Sequence, residues 1–122
     1  MGCFNVEVRI ENASNRSRSI MLQRLLVDTG SEYTWIGAKA LETIGIKKEK
    51  KDVQFIMANG IRITRPVGFA VIRVNDAFTV DEVVFAETGD LLLLGARTLE
   101  GLALVVDSRK KKLVAAGPLP VA

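Results

Sequence analysis

Apolar and polar residues alternate along Phe4-Asn5-Val6-Glu7-Val8-Arg9-Ile10, the two-residue period of a strand with one buried face. The polar stretch 11–18, rich in Ser and Asn, predicts a hairpin connection, and a second strand follows over 19–27. Asp28-Thr29-Gly30-Ser31 comes next, then Tyr33-Thr34-Trp35-Ile36 as a short buried strand, so Asp28 is expected on a loop, buried between apolar strands. Residues 38–44 are good helix formers, with Gly45 placed to end the helix. Strands are predicted over 53–58 and 61–66 around Asn59-Gly60, a pair that favours a tight two-residue hairpin turn. A second hairpin over 67–74 and 78–85 turns at Asn75-Asp76. Leu91-Leu92-Leu93-Leu94 reads as a strand buried on both faces and ended by Gly95. A second short helix over 96–101, strands over 102–106 and 112–115, and a tail without strand propensity complete the pattern.

Length and composition narrow the class. A chain of 122 residues is expected to fold as one domain, and its hydrophobic fraction of 48% predicts a dense core with apolar surface left for a partner. The apolar runs are short and rich in Val, Ile and Leu, so the fold is expected to be mainly β with one or two short helices. A single cysteine, Cys3, and no histidine exclude an internal disulfide, the common zinc patterns and His-based triads within one chain. Cys3 is read as incidental, and no metal or organic cofactor is expected. The chain opens directly into a strand pattern, with neither a signal-like apolar region nor a membrane-spanning run, which predicts a cytoplasmic protein without membrane contact. Met1-Gly2 is not read as a myristoylation signal, because Val6 stands where Ser or Thr is needed. The formal charge is +3, concentrated in Lys47-Lys48-Glu49-Lys50-Lys51 and Arg109-Lys110-Lys111-Lys112. Neither cluster has interleaved aromatics, so both are read as solvated faces and no nucleic-acid partner is expected.

Three elements, in order and approximate spacing, resemble the retropepsin-like aspartic peptidases: the apolar run into Asp28-Thr29-Gly30-Ser31, the hairpin around Ala58-Asn59-Gly60, and Leu93-Leu94-Gly95 with Leu99 in the helix after it. The resemblance covers most of the chain. It implies a closed acid-protease barrel over residues 1–122, forming half of the active site of a homodimeric endopeptidase. It implies Asp28 as the catalytic carboxylate, Thr29, Gly30 and Ser31 as its support, and Glu32, Trp35, Met57, Ala58, Asn59 and Gly60 as contacts to a peptide or protein substrate. Within that resemblance Thr29 braces the two subunits' loops, Ser31 donates to the Asp28 carboxylate, and the Asn59-Gly60 hairpin is the flap, with Met57 and Ile61 against the ligand. Ala96 separates Gly95 from Arg97, where many retroviral members have Arg directly after Leu-Gly, so an Arg97 to Glu32 ion pair is not expected. Pro118 and Pro120 would interrupt a terminal dimer ladder of the retroviral kind.

The chemistry explains the residue types. A peptide bond is hydrolysed without a covalent intermediate when one carboxylate takes a proton from water while a second, protonated carboxyl polarises the carbonyl. Carboxyl groups about 3 Å apart cannot both ionise, a behaviour for which aspartic proteases are the standard example. The chain has one Asp-Thr-Gly, so a two-fold axis beside Asp28 supplies the second carboxyl. Two other readings stand beside this one: a catalytically silent dimeric peptide-binding module of the same fold, and, last, a nucleic-acid-associated β-domain using the two basic runs. The segments Leu25-Leu26-Val27-Asp28-Thr29-Gly30 and Leu91-Leu92-Leu93-Leu94-Gly95 are weakly alike, as a degenerate internal duplication would make them.

Overall fold

In the computed structural model, which describes residues 4–121, strands β1 (Asn5–Glu11) and β2 (Ser19–Val27) form an antiparallel pair. The expectations for Met1, Gly2 and Cys3 fall outside the described residues. Asn12 builds the β1–β2 turn: its Oδ1 accepts the Ser14 and Asn15 amides at 2.8 and 3.2 Å, and its Nδ2 donates to the Ile44 carbonyl at 2.9 Å. Strand β3 (Thr34–Gly37) leads directly into α1 (Ala38–Thr43). Gly45 ends that helix as the sequence predicts. It takes φ +78°, and the Gly45 and Ile46 amides donate back to the Glu42 and Leu41 carbonyls at 3.0 Å each.

Strand β4 (Lys50–Ile56) pairs with the long β5 (Arg62–Val74), which then pairs with β6 (Ala77–Ala86) across the expected turn at Asn75-Asp76. Two expectations change here. The Asn59-Gly60 loop is not a two-residue turn, because Gly60 alone has a positive φ, +85°. The Gly60 amide donates to the Met57 carbonyl and the Met57 amide to the Ile61 carbonyl, both at 2.8 Å, so the loop is a four-residue turn relieved by a left-handed glycine. The strands predicted at 61–66 and 67–74 are one strand. Pro66, which has no N–H, lies opposite an irregularity of β4 between Lys50 and Val53, where the regular ladder is interrupted.

Strand β7 is only Leu93–Leu94, followed by α2 (Ala96–Leu102) and the hairpin β8 (Leu104–Asp107) and β9 (Lys112–Ala115). Leu91 and Leu92, expected within a buried strand, are 64% and 48% exposed. The turn before them, closed by the Asp90 amide on the Glu87 carbonyl at 3.0 Å, delivers them to a rim before the chain reaches the sheet. No strand forms over 116–121.

The fold is mainly β, as expected. Its seven-stranded sheet has the order β1-β2-β7-β3-β6-β5-β4, and β1 also pairs with β5, which curls the sheet into a ring. Strand β7 lies parallel to β2, with Leu93 beside Leu26 and Leu94 beside Val27, so the two segments that look alike in sequence are neighbours in space. Ile10, Ile36, Leu41, Ile72, Phe85 and Leu94 fill the main core; each fully buried side chain of this kind contributes about 1.5–3 kcal/mol. A second, smaller cluster of Trp35, Val67, Val84, Ala86 and Leu93 lies below the β4–β5 hairpin.

Candidate active site

Asp28 is the first residue after β2, and its amide donates to the Leu94 carbonyl at 3.0 Å. The chain then folds over the start of α2: the Ala96 amide reaches the Ser31 carbonyl at 2.7 Å and the Arg97 amide the Glu32 carbonyl at 3.1 Å. A Cβ on Gly95 would run into the carbonyl of Tyr33, so only glycine allows this approach. The Asp28 Oδ1 accepts the Gly30 amide at 2.9 Å, and Oδ2 has no hydrogen-bond partner among the described residues. Asp28 is half-buried, not buried as its apolar neighbours suggested, because it lies just past the end of β2 and lines a cleft. Gly30 has no positive φ; a Cβ there would sit 3.2 Å from Asp28 Oδ1, so close approach of the carboxylate is what it permits. The Ser31 hydroxyl donates to the Tyr33 carbonyl at 3.1 Å and not to the Asp28 carboxylate, which corrects the role expected for it.

Thr34 lies beneath this loop. Its Oγ1 accepts the Gly95 amide at 2.9 Å and lies 2.6 Å from the Thr98 hydroxyl, which in turn donates to Asp81 Oδ2 at 2.7 Å. A carboxylate only accepts, so the chain of donors runs from Gly95 through Thr34 and Thr98 to Asp81. Both threonine side chains are fully buried. The sequence reading missed this brace, although a threonine that begins the apolar strand β3 and another in the helix after Gly95 are its visible signal.

A cleft of about 800 Å³ opens beside Asp28. It brings together most of the predicted residues: Asp28, Gly30, Ser31, Glu32 and Trp35 on one side, Met57 and Ala58 on the hairpin. Asn59 and Gly60, at the hairpin tip, and Ile61 do not line it. Thr29 faces away and lines a separate cavity of about 390 Å³ with Glu32, Arg97, Leu99 and β8. The cleft also holds residues the sequence reading did not select, notably Tyr33, Phe55, Asp90 and Leu91. Phe55 packs edge-on against Tyr33 at 5.3 Å between ring centroids and tilted against Trp35 at 5.0 Å, forming an aromatic wall. Trp35 is only 8% exposed, so it serves both the second core and this wall.

A model of the aspartyl protease family matches residues 6–102, a span that includes the Asp28 loop, the β4–β5 hairpin and Leu93-Leu94-Gly95. The chain belongs to the aspartyl protease family. That membership supports a general aspartic protease function, and with it a hydrolase of peptide bonds. No curated protein matches the chain.

Several charged residues near this aspartyl protease cleft are paired. Lys50 and Arg97 both bind Glu82, at 2.8 and 3.2 Å, and the hydrogen bond from Lys50 outweighs partial burial to hold the Glu82 carboxyl below its usual range. Arg97 lies over the Tyr33 ring at 4.8 Å, and its side chain pairs with Glu82 while its contact to Glu32 is through the backbone, in line with the absence of an Arg97–Glu32 ion pair. Of the basic runs, Lys48 pairs with Glu42 at 3.5 Å, and the Arg109 and Lys110 amides close a turn on Asp107 Oδ1 at 3.1 Å each. Among the described residues no cluster of three His, Cys, Asp or Glu side chains is arranged to hold a metal, and no helix is long and apolar enough to cross a membrane.

Proposed function

We propose that this chain is one subunit of a retropepsin-like homodimeric endopeptidase in which each Asp28 supplies one of two catalytic carboxyl groups. The whole chain acts as one peptidase unit. The observation that carries the reading is the state of Asp28: Oδ1 is fixed by the Gly30 amide at 2.9 Å, while Oδ2, in the cleft, has no partner among the described residues. A carboxyl held this way is oriented yet able to bind water or a second carboxyl.

In the dimer the two Asp28 groups share one proton. The ionised one takes a proton from water as the water oxygen attacks the peptide carbonyl, and the protonated one donates to the carbonyl oxygen. Collapse of the resulting diol breaks the C–N bond and returns a proton to the leaving nitrogen. Thr29 is exposed, beside the cavity against β8 and the half-exposed Val105, and this face suits a second copy. The β4–β5 hairpin is the flap, with Met57 and Ala58 over the substrate and Glu32 and Trp35 on the opposite wall, and the aromatic wall favours large apolar side chains next to the cut bond.

The test is cleavage of a diverse peptide library from acidic to neutral pH by the natural chain, Asp28→Ala and Asp28→Asn, each shown to be a folded dimer. Cleavage abolished in both variants is the expected result. A folded natural dimer that binds peptides and cuts none would replace this reading with the silent peptide-binding module.

A further inference from the structure

The stretch of β5 between Arg62 and Arg65 pairs only with β4; pairing with β6 begins at Val67, opposite Val84. The hairpin therefore leaves the ring at Pro66, and what happens at its root determines how it stands over the cleft. Arg65 sits at that root. Its Nε donates to Asp90 Oδ2 at 2.7 Å and its Nη2 to Asp90 Oδ1 at 3.0 Å, a two-pronged pair with side chains only 14% and 12% exposed. Nη1 lies 3.7 Å from the Glu87 carboxylate and donates to the Thr64 carbonyl at 2.9 Å. Asp90 in turn takes the Glu87 amide on Oδ2 at 2.8 Å, so the same carboxylate that grips Arg65 also folds the turn that carries Leu91 to the cleft rim. Among the described residues, these bonds to Asp90 and Glu87 are the side-chain polar ties from residues 53–65 to the rest of the chain.

We infer that Arg65 and Asp90 form a latch that positions the β4–β5 hairpin against the 87–92 loop, sets the width of the cleft, and thereby acts as a positioning pair for substrate. The inference rests on the reading of the hairpin as the element that covers the substrate. The geometry is suited to the task. A planar guanidinium bound at two points fixes both distance and angle, which a single lysine contact does not. The pair is also shielded enough to hold in salt, unlike an exposed ion pair. It joins two elements that line the cleft: the hairpin carries Phe55 and Met57, and the loop carries Leu91. Releasing it leaves the hairpin to swing about Pro66 against the Lys50–Glu82 pair at the foot of β4, the Phe55 contacts to Tyr33 and Trp35, and the apolar packing of Val53 and Ile63.

The chain reports on this motion itself. Trp35 is its single tryptophan, lies in the cleft wall, and is covered by Phe55 from the hairpin. The experiment compares the natural dimer with Arg65→Met, Arg65→Lys and Asp90→Asn, measuring acrylamide quenching of Trp35 fluorescence, urea unfolding, and kcat and KM for a cleaved peptide. The expected result is a severalfold rise in quenching and in KM for Arg65→Met and Asp90→Asn with kcat little changed, and an intermediate rise for Arg65→Lys, which keeps the charge and loses the second prong. Quenching and KM unchanged in the folded variants would overturn the latch. Should Arg65→Met fail to fold, Asp90→Asn and Arg65→Lys decide by the same readouts. A natural protein that cuts nothing, with quenching that still rises in the variants, leaves the latch standing and removes the peptidase reading instead.

Discussion

Thr34 and Thr98 share a hydrogen bond of 2.6 Å across the fully buried seam between β3 and α2. One bond of this chain holds the Gly95 amide, and the other end is fixed on Asp81. The Asp28 loop is thus braced by a buried relay of hydroxyls beneath it as well as by the bonds its own Asp28 and Ser31 side chains make.

Thr98→Val keeps the shape and removes the hydroxyl, leaving the Thr34 hydroxyl without its acceptor in a buried site. The expected loss is about 1–3 kcal/mol of stability, the cost of an unsatisfied buried polar group. It is read as a lower urea midpoint at unchanged slope. A midpoint equal to that of the natural chain would show that the relay contributes nothing.

Gly95→Ala places a Cβ against the Tyr33 carbonyl, where the obstacle is backbone and cannot rotate away. Overpacking of this kind costs about 1–3 kcal/mol, and here it also displaces the loop that carries Asp28. Gly37→Ala is the control, since a Cβ there meets nothing within 4 Å among the described residues. Thermal unfolding and peptide cleavage should both suffer in the first variant and neither in the second.

Acid should destabilise the fold through its paired carboxylates. Burial pushes the Glu11 carboxyl up, but hydrogen bonds and charge from Arg73 and Arg9 outweigh it and leave Glu11 below its ordinary value of 4.5. Glu82 is lowered by the hydrogen bond from Lys50 against its burial. Both have folded values below unfolded ones, so their stabilisation is complete above the unfolded value and disappears as pH falls through the folded value. Urea midpoints measured downward from neutral pH should fall below about pH 4.5. The fall should be shallower in Glu11→Gln, which is also less stable at neutral pH; an equal slope in both proteins would remove Glu11 from the account.

Mixing natural and Asp28→Asn subunits separates a shared site from a private one. After free exchange in an equimolar mixture, a site that needs both carboxylates retains about one quarter of the activity of the same total amount of natural protein, because only natural homodimers cut. Half of the activity would mean that each chain carries a complete site.

The local signals were legible because they depend on nearest neighbours. Alternation placed β1, the Asn75-Asp76 turn and the Gly45 helix stop close to where they occur, since each is a matter of strand period or of a backbone angle that few residues accept. Leu91 and Leu92 misled for the same reason: four leucines look alike in sequence, and only the turn at 87–90 separates the two at the rim from the two in the sheet. Asn59-Gly60 marked a turn correctly, while the type depended on Met57 and Ile61, whose bonds form only once β4 and β5 are in register.

By itself the sequence determined a mainly β chain, a carboxylate delivered by an apolar strand into an Asp-Thr-Gly loop, and the exclusion of histidine-based chemistry within the chain. Tertiary structure alone decided what surrounds that carboxylate. Ser31 turns to the Tyr33 carbonyl, Thr34 and Thr98 meet across 64 residues of sequence, and Arg65 finds Asp90 across 25. Side-chain partners at such separations are set by which strands the ring makes neighbours, and that is a property of the whole sheet, which no local pattern of residues encodes.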